Sequence, residues 1–255
     1  MINRISRVVK HFDRRSAVYD AKGTWVSNSE VLSAMHALLA AGLVDGSSRG
    51  IDLGSGTGAV SKFLLDQGVL ASIVALDLSQ EMLSQMDDPR PRVVVGSVEQ
   101  IPCPSSVFDW AVSRQCLHYV ENVARAVDEI RRVLKMNGIF VLAQIVPFDE
   151  NEKDEWREIV SLRQPLAPSL LSEDEWVSIM EQGGLSCIQR VRVSHRSSTS
   201  RLAAKHRKEN DPALLLYMDA MARVSPAFAR NHGFVMQGED ISYDAFWSIL
   251  LFRKT

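Results

Sequence analysis

Ile51-Asp52-Leu53-Gly54-Ser55-Gly56-Thr57-Gly58 runs out of a short apolar strand into a turn that opens a helix. Glycines are required where a ligand lies directly against the backbone, because side chains would block the approach or demand forbidden φ values. Such a turn also points backbone N–H groups at the ligand from a helix N-terminus. Outward from it the pattern repeats. Gly50 to Leu53 reads as the strand and Ala59 to Gln67 as the helix, closed by Gly68. Ser72 to Leu76 is a second strand, and Ser79 to Met86 a helix with Ser79 as N-cap. Val93 to Val95 and Trp110 to Ser113 are further strands. Ala124 to Leu134 has helical spacing and ends in basic residues before Asn137-Gly138. Ile139 to Ile145 is a fifth strand, stopped by Pro147. Near-continuous apolar strands alternating with helices predict a parallel sheet covered on both faces.

The rhythm changes on either side of this core. Met1 to Tyr19 is amphipathic and reads as helical, with Phe12, Val18 and Tyr19 as anchors, and Ser29 to Ala41 is an Ala/Leu-rich helix closed by Gly42. Beyond Pro147, Asp149 to Glu158 reads as a solvated helix start. Ser172-Glu173-Asp174-Glu175 is a capping box for a helix ended by Gly183-Gly184. Ser186 to Val193 alternates as a strand, Arg201 to Ala229 reads as helical but broken by Pro212 and Pro226, and Tyr243 to Arg253 is a final strand. The expected architecture is therefore α/β: a Rossmann-like three-layer sandwich on a mostly parallel seven-stranded sheet with an antiparallel last strand. A single domain of 255 residues is expected. It would comprise an N-terminal helical lid (1–45), a Rossmann-like core (46–147), cap segments with one strand (148–240) and the final strand (241–255).

Composition narrows the class. A net charge of −2 argues against a nucleic-acid binder. The basic run Arg201, Lys205, His206, Arg207 and Lys208 has no interleaved aromatics and reads as a solvated face. No apolar run approaches membrane-spanning length and Met1 to Lys10 lacks a secretory h-region, so the cytoplasm is the expected location. Cys103, Cys116 and Cys187 are too widely spaced for a zinc site, and an odd count argues against a disulfide framework, so no metal is expected.

The glycine turn leaves the cofactor open, since Gly54 to Ala59 also satisfies Gly-x-Gly-x-x-Ala, the dinucleotide pattern of nicotinamide and flavin enzymes. Three features favour S-adenosylmethionine (SAM). Asp52 places a carboxylate where a pyrophosphate would be repelled but a sulfonium and an ammonium are welcome. The glycine-rich strand starts about fifty residues in, after helices that could act as a lid. A late strand pair follows the fifth strand. Asp77, nineteen residues after Gly58, ends the second strand, where a carboxylate can accept both ribose hydroxyls in either cofactor class.

Ile51 to Val60, Ala75 to Leu83, Gly96 to Pro102, Phe108 to His118 and Arg131 to Gly138 together resemble the ordered motifs of class I SAM-dependent methyltransferases. The closest flavour is the small-molecule group that includes the ubiquinone/menaquinone and biotin-pathway enzymes. The resemblance is strong over residues 10–147 and weak beyond. It implies that Asp52 and the turn Gly54, Ser55, Gly56 and Gly58 hold the methionine end of SAM. It also implies that Asp77 takes the ribose and that Leu78 and Met82 pack on the adenine. The family's acid-small-acid trio at the adenine amino group reads Ser97-Val98-Glu99 here, so a hydroxyl or backbone group must stand in for the usual aspartate. Arg114 and Gln115 are implied to face the methionine portion and the substrate. Tyr19, followed by Asp20, matches a Tyr-Asp pair that lies over the cofactor, and Trp25 could join it.

A sulfonium methyl needs an aligned nucleophile and exclusion of water, and a base only when the acceptor must lose a proton. His118 is the base candidate, with a structural role in capping the next helix as its alternative; His11 and His195 are weaker candidates. Arg114 could clamp a carboxylate of SAM or substrate, or form an internal ion pair. The expected activity is methyl transfer to the O, N or C of a small metabolite, giving S-adenosylhomocysteine, with residues 199–240 forming part of the pocket. An alternative keeps SAM as the sole substrate: its amine attacks its own γ-carbon, giving azetidine-2-carboxylate and methylthioadenosine. RNA methylation and nicotinamide-dependent oxidoreduction are the two further readings. Acceptor identity and oligomeric state are not encoded in any motif.

Overall fold

The computed structural model describes residues 4–22, 28–42, 47–68, 72–200, 212–238 and 240–255. Trp25 and the basic run 201–208 lie outside them. The chain enters through α1 (Arg4–Asp13), a 3-10 turn (Ser16–Val18), α2 (Tyr19–Lys22) and α3 (Ser29–Ala41). The α/β core follows: β1 (Arg49–Leu53), α4 (Ala59–Asp66), β2 (Ser72–Asp77), α5 (Gln80–Ser84), β3 (Arg92–Val95), β4 (Phe108–Arg114), α6 (Val123–Val133) and β5 (Leu134–Val146). Then come α7 (Lys153–Arg163), α8 (Glu173–Gln182), β6 (Leu185–Ser198), α9 (Pro212–Ala222), α10 (Pro226–Asn231), β7 (Val235–Gln237) and β8 (Asp240–Lys254).

The strands form one sheet in the order β3-β2-β1-β4-β5-β8-β6, with short β7 paired to β8 as an eighth. β1 to β5 run parallel, and β8 runs antiparallel to both β5 and β6. The predicted seven strands and antiparallel last strand are thus present, with β7 as an unforeseen hairpin arm. Pro212 and Pro226 each open a helix rather than break one, because a first-turn proline forfeits no helical hydrogen bond. Side chains whose oxygens satisfy orphan N–H groups start four of the other helices: Asn28 for α3, Ser79 for α5, Asn122 for α6 and a full Ser172/Glu175 capping box for α8.

Strand alternation divides the core in two. Ala111, Phe140, Leu142, Leu250 and Phe252 face α6 and α8. Trp110, Val112, Ile139, Val141, Ile249 and Leu251 face α3 and α4 on the other side. Both faces are dry, which is why these strands read as continuous apolar runs. A third cluster, Trp156, Ile159, Tyr217, Met221, Phe228, Ile241 and Tyr243, joins α7, α9 and α10 to the start of β8. It forms a cap over the carboxyl edge of β4 and β5. No helix among the described residues is long and apolar enough to cross a membrane.

Candidate active site

Strand order reverses between β1 and β4, and a crevice opens outside their carboxyl ends, where open α/β sheets take ligands. The glycine turn forms one wall. Gly54 has φ +72°, and a Cβ there would lie 2.3 Å from Cys116 Sγ; Gly56 has φ +56° and faces Met82 Cε. Both left-handed conformations and the closeness of the next wall therefore exclude larger residues. Asp77, at the end of β2, pins the turn: Gly56 N–H donates to its Oδ2 (2.9 Å) and Ser79 N–H to its Oδ1 (2.8 Å). Burial raises its carboxyl above the usual range, and the amide bonds from Ser79 and Gly56 oppose that rise.

Asp52 sits at the other end of the crevice and is almost wholly buried. Ser61 Oγ donates to its Oδ2 at 2.8 Å, while its Oδ1 is buried without a partner. Burial pushes the carboxyl up to about 6, against the Ser61 hydrogen bond and the field of Arg114. Arg114, at the end of β4, is buried too, and desolvation lowers its affinity for its proton although Tyr19, Asp52 and Asp20 support the cation.

The chamber between these walls has a volume of about 1080 Å³ including its mouth. All but one of the residues the sequence assigned to the cofactor line it: Asp52, Gly54, Ser55, Gly56, Asp77, Leu78, Met82, Ser97, Val98, Glu99 and Gln115, with Arg114 and Tyr19. Gly58 is the exception; it does not line the chamber but serves as the left-handed N-cap of α4. Two of the lining groups are already engaged. Ser97 Oγ accepts from Glu99 N–H (3.1 Å), and Glu99 Oε1 accepts from Asn122 N–H (2.8 Å) at the start of α6. The Ser97 hydroxyl thus folds its own loop, and its replacement of an aspartate leaves one carboxylate fewer in this wall.

The N-terminal segment is tied onto the turn by two carboxylates, Asp20 of the Tyr-Asp pair and Asp13, which the sequence did not flag. Ser79 Oγ donates to Asp13 Oδ1 (2.6 Å) and Thr57 Oγ1 to Asp20 Oδ1 (2.7 Å). Tyr19 lies between them, beneath Arg15, whose guanidinium carbon is 5.5 Å from the ring centroid. Asp20→Ala is expected to speed release of S-adenosylhomocysteine five- to tenfold, the worth of one charge-assisted hydrogen bond, ~1 kcal/mol or slightly more. The ligand-free melting temperature should move little. Stopped-flow dissociation measures the first and calorimetry the second.

A second chamber, of about 1310 Å³ with its mouth, adjoins the first and shares Phe12, Tyr19, Gln115 and Tyr119 with it. The cap lines it with Trp156, Ile159, Tyr217, Met221, Phe228 and Tyr243. His118 lines this chamber, not the first. Its Nδ1 pairs with Gln144 Oε1 at 2.9 Å, which fixes Nδ1 as donor and leaves Nε2 as a buried lone pair without a partner. Burial pushes its pKa down to about 4. It does not cap the following helix, which Asn122 does. His11 and His195 line the same chamber. One wall is stiffened by Glu152, whose Oε1 accepts from His232 Nε2 (2.7 Å) and Phe148 N–H (2.7 Å). Burial works to raise the Glu152 carboxyl, but the bonds from His232 and Asn231 outweigh it and hold it below the carboxylate range. Among residues the sequence missed, Gln144 had a legible signal: it is a polar residue in the buried run Val141 to Val146.

The chemistry of the first chamber fits SAM. A buried, unpartnered carboxylate oxygen on Asp52 meets a cation, a glycine wall admits close backbone approach, and Leu78, Met82 and Val98 offer an apolar slot beside the ribose-competent Asp77. Fold and site together define a nucleoside-cofactor domain of the methyltransferase kind. Residues 51–142 match the family model described as "Methyltransferase domain". The chain is 34% identical over 148 residues to a malonyl-[acyl-carrier protein] O-methyltransferase of Geobacter sulfurreducens, covering 56% of this chain and 54% of that protein. It therefore matches only about half of that relative's length. A protein of the same name from a Paenibacillus species is 25% identical over 209 residues, with 74% of each chain covered. In fold, the chain is similar to the Burkholderia thailandensis 1,6-didemethyltoxoflavin-N1-methyltransferase, solved with its acceptor and S-adenosylhomocysteine. The TM-score is 0.58 at 17% identity, covering 98% of this chain and 88% of that one.

Proposed function

We propose that the chain is a SAM-dependent methyltransferase whose acceptor is a small metabolite bound in the second chamber. The observation that carries this reading is the pair of adjoining chambers sharing Tyr19, Gln115 and Tyr119. One is built for SAM and the other is large enough for a separate molecule. Cyclisation of SAM alone would need no second chamber, so the adjoining cavity favours an external acceptor. SAM supplies an activated methyl group, and the protein's work is to align and enclose. Asp52 faces the cationic end, Arg114 clamps a carboxylate and Asp77 holds the ribose hydroxyls. Leu78, Met82 and Val98 sandwich the base, and Tyr19 closes the roof under the Asp13 and Asp20 ties.

His118 is the proposed proton acceptor. Its pKa of about 4 keeps it neutral at physiological pH, with Nε2 a buried, unpartnered lone pair on a residue that lines the acceptor chamber. A weak base suffices because an attacking hydroxyl or amine becomes strongly acidic as its new bond to carbon forms. An acyl-carrier-bound acid, as in the names of the two relatives, is one form of acceptor that the open mouth of the chamber could admit. A cytoplasmic setting accords with three cysteines that are all free.

The test is incubation of the protein with methyl-labelled SAM and a metabolite extract. Label should move to an extractable small molecule in step with S-adenosylhomocysteine. Methylthioadenosine formed from SAM alone, without methyl transfer, would replace this reading with the cyclisation one.

A further inference from the structure

Beneath the second chamber lies a smaller recess of about 270 Å³ between β4, β5 and the cap. Gln115, His118 and Gln144 all line it. Each brings one buried polar atom without a hydrogen-bond partner: Gln115 Nε2, His118 Nε2 and Gln144 Nε2. Gln144 is 2% and His118 4% exposed, so neither atom can turn to solvent. Unmet groups at such depth are costly, and three sharing one recess describe a complementary ligand group.

The chemistry of the three atoms is fixed. Gln144 Oε1 takes the His118 Nδ1 proton, so the free end of Gln144 is its NH₂ donor and the free nitrogen of His118 is an acceptor. The recess therefore offers two amide donors and one lone pair. A carboxylate has no proton for His118, and an ammonium has no lone pair for the glutamines. A hydroxyl has both.

The surroundings specify what carries that hydroxyl. Tyr119, Trp156, Tyr217, Phe228, Tyr243 and Phe246 line the chamber above it. None of its described lining residues is Asp or Glu, whereas Arg15 and Arg163 both face it. Neither arginine pairs with a described carboxylate; Arg163 lies 6.0 Å from the Tyr217 ring centroid and also borders the recess. Guanidinium groups over an aromatic-walled cavity favour an electron-rich ring.

We propose that Gln115, His118 and Gln144 form a subsite reading one hydroxyl of a planar aromatic acceptor, which makes the substrate class phenolic. This deepens the methyltransferase reading and rests on it, since it takes the second chamber as the acceptor site. A site that hydrogen-bonds a substrate hydroxyl rejects the analogue lacking it, because its own buried groups are then left unpaired.

The test is calorimetric binding of 4-methylphenol, 4-methylanisole and toluene to the full chain saturated with S-adenosylhomocysteine. The phenol should bind at least tenfold more tightly than toluene, with the anisole near toluene. Gln144→Leu should bring the three within about threefold of one another while leaving the affinity for S-adenosylhomocysteine unchanged. Gln115→Leu, at a half-buried position, should likewise bring the three probes together on the S-adenosylhomocysteine-saturated chain if the first variant fails to fold. Equal binding of the three probes to the wild-type protein would overturn the subsite, as would no binding of any at millimolar concentration. So would a crystal structure with an ordered water on the three atoms and the phenol elsewhere. Failure of S-adenosylhomocysteine itself to bind would overturn the methyltransferase reading instead, so the two failures are distinguishable.

Discussion

Asp77→Ala is expected to raise the dissociation constant for S-adenosylhomocysteine at least a hundredfold. The substitution acts twice. It removes the carboxylate proposed to accept the ribose hydroxyls, and charge-assisted bonds of that kind contribute roughly 1.5–3 kcal/mol each. It also unpins the turn, because Gly56 N–H and Ser79 N–H lose their acceptor. A hundredfold corresponds to about 2.7 kcal/mol, within reach of the first effect alone. The second effect should appear without ligand as a lower melting temperature, roughly 2–4 °C for each kcal/mol lost in a domain of this size. Isothermal titration and differential scanning calorimetry separate the two. Binding within threefold of wild type would show that the ribose does not sit at Asp77.

The two effects of Asp77 also mark what a sequence can and cannot disclose. The carboxylate was legible because strand, turn and acid follow one another within thirty residues, and local spacing fixes their geometry. The same holds for β1 to β5 and their helices, where apolar runs of fixed length leave few alternatives. What was not legible depends on contacts between distant segments. Asp13 looks like an ordinary helix-surface acid, and Asp20 is marked only by its place after Tyr19, until α1 and α2 fold back on Ser79 and Thr57, sixty-six and thirty-seven residues away. Arg163 reads as a helix C-terminal cation and only the closure of the cap turns it toward an aromatic chamber. His118 was legible as a titratable group at the sheet's carboxyl edge, but its partner Gln144 lies on the neighbouring strand, and strand pairing alone brings them to 2.9 Å. Pro212 and Pro226 misled for a different reason. A proline in a helical pattern is compatible with either a break or a start, and the cap's tertiary packing decided for starts.

Asp52 carries the prediction of largest consequence for stability. In the unfolded chain its carboxyl ionises near 3.8, while in the ligand-free fold burial holds it to about 6. The folded state therefore binds the proton more tightly. Stability contributed by this group is present below about pH 3.8 and is lost as pH rises to about 6, a difference of roughly 3 kcal/mol. Above that pH the protein carries a buried carboxylate, with Oδ1 unpartnered, at a standing cost. Asp52→Asn removes the charge and keeps the shape. At pH 7.5 the ligand-free variant should be more stable than wild type by about 1–3 kcal/mol, a melting temperature higher by roughly 3–8 °C. The same substitution should weaken SAM binding at least tenfold, because the cation then meets a neutral amide. Wild-type affinity for SAM should climb with pH up to about 6 and then level off, whereas that of the variant should stay flat. S-adenosylhomocysteine, which keeps the ammonium but lacks the sulfonium charge, shows which cation Asp52 faces: equal losses for both ligands assign the ammonium, and a larger loss for SAM assigns the sulfonium. A variant that is less stable than wild type at pH 7.5, or that binds SAM unchanged, would mean that the buried carboxylate is not the cofactor's counter-charge. The physical logic is that of a preformed site. Strain held by an unmet charge in the empty protein is relieved only when a cation enters, so the free energy lost in the fold returns as affinity and selectivity for a positively charged cofactor.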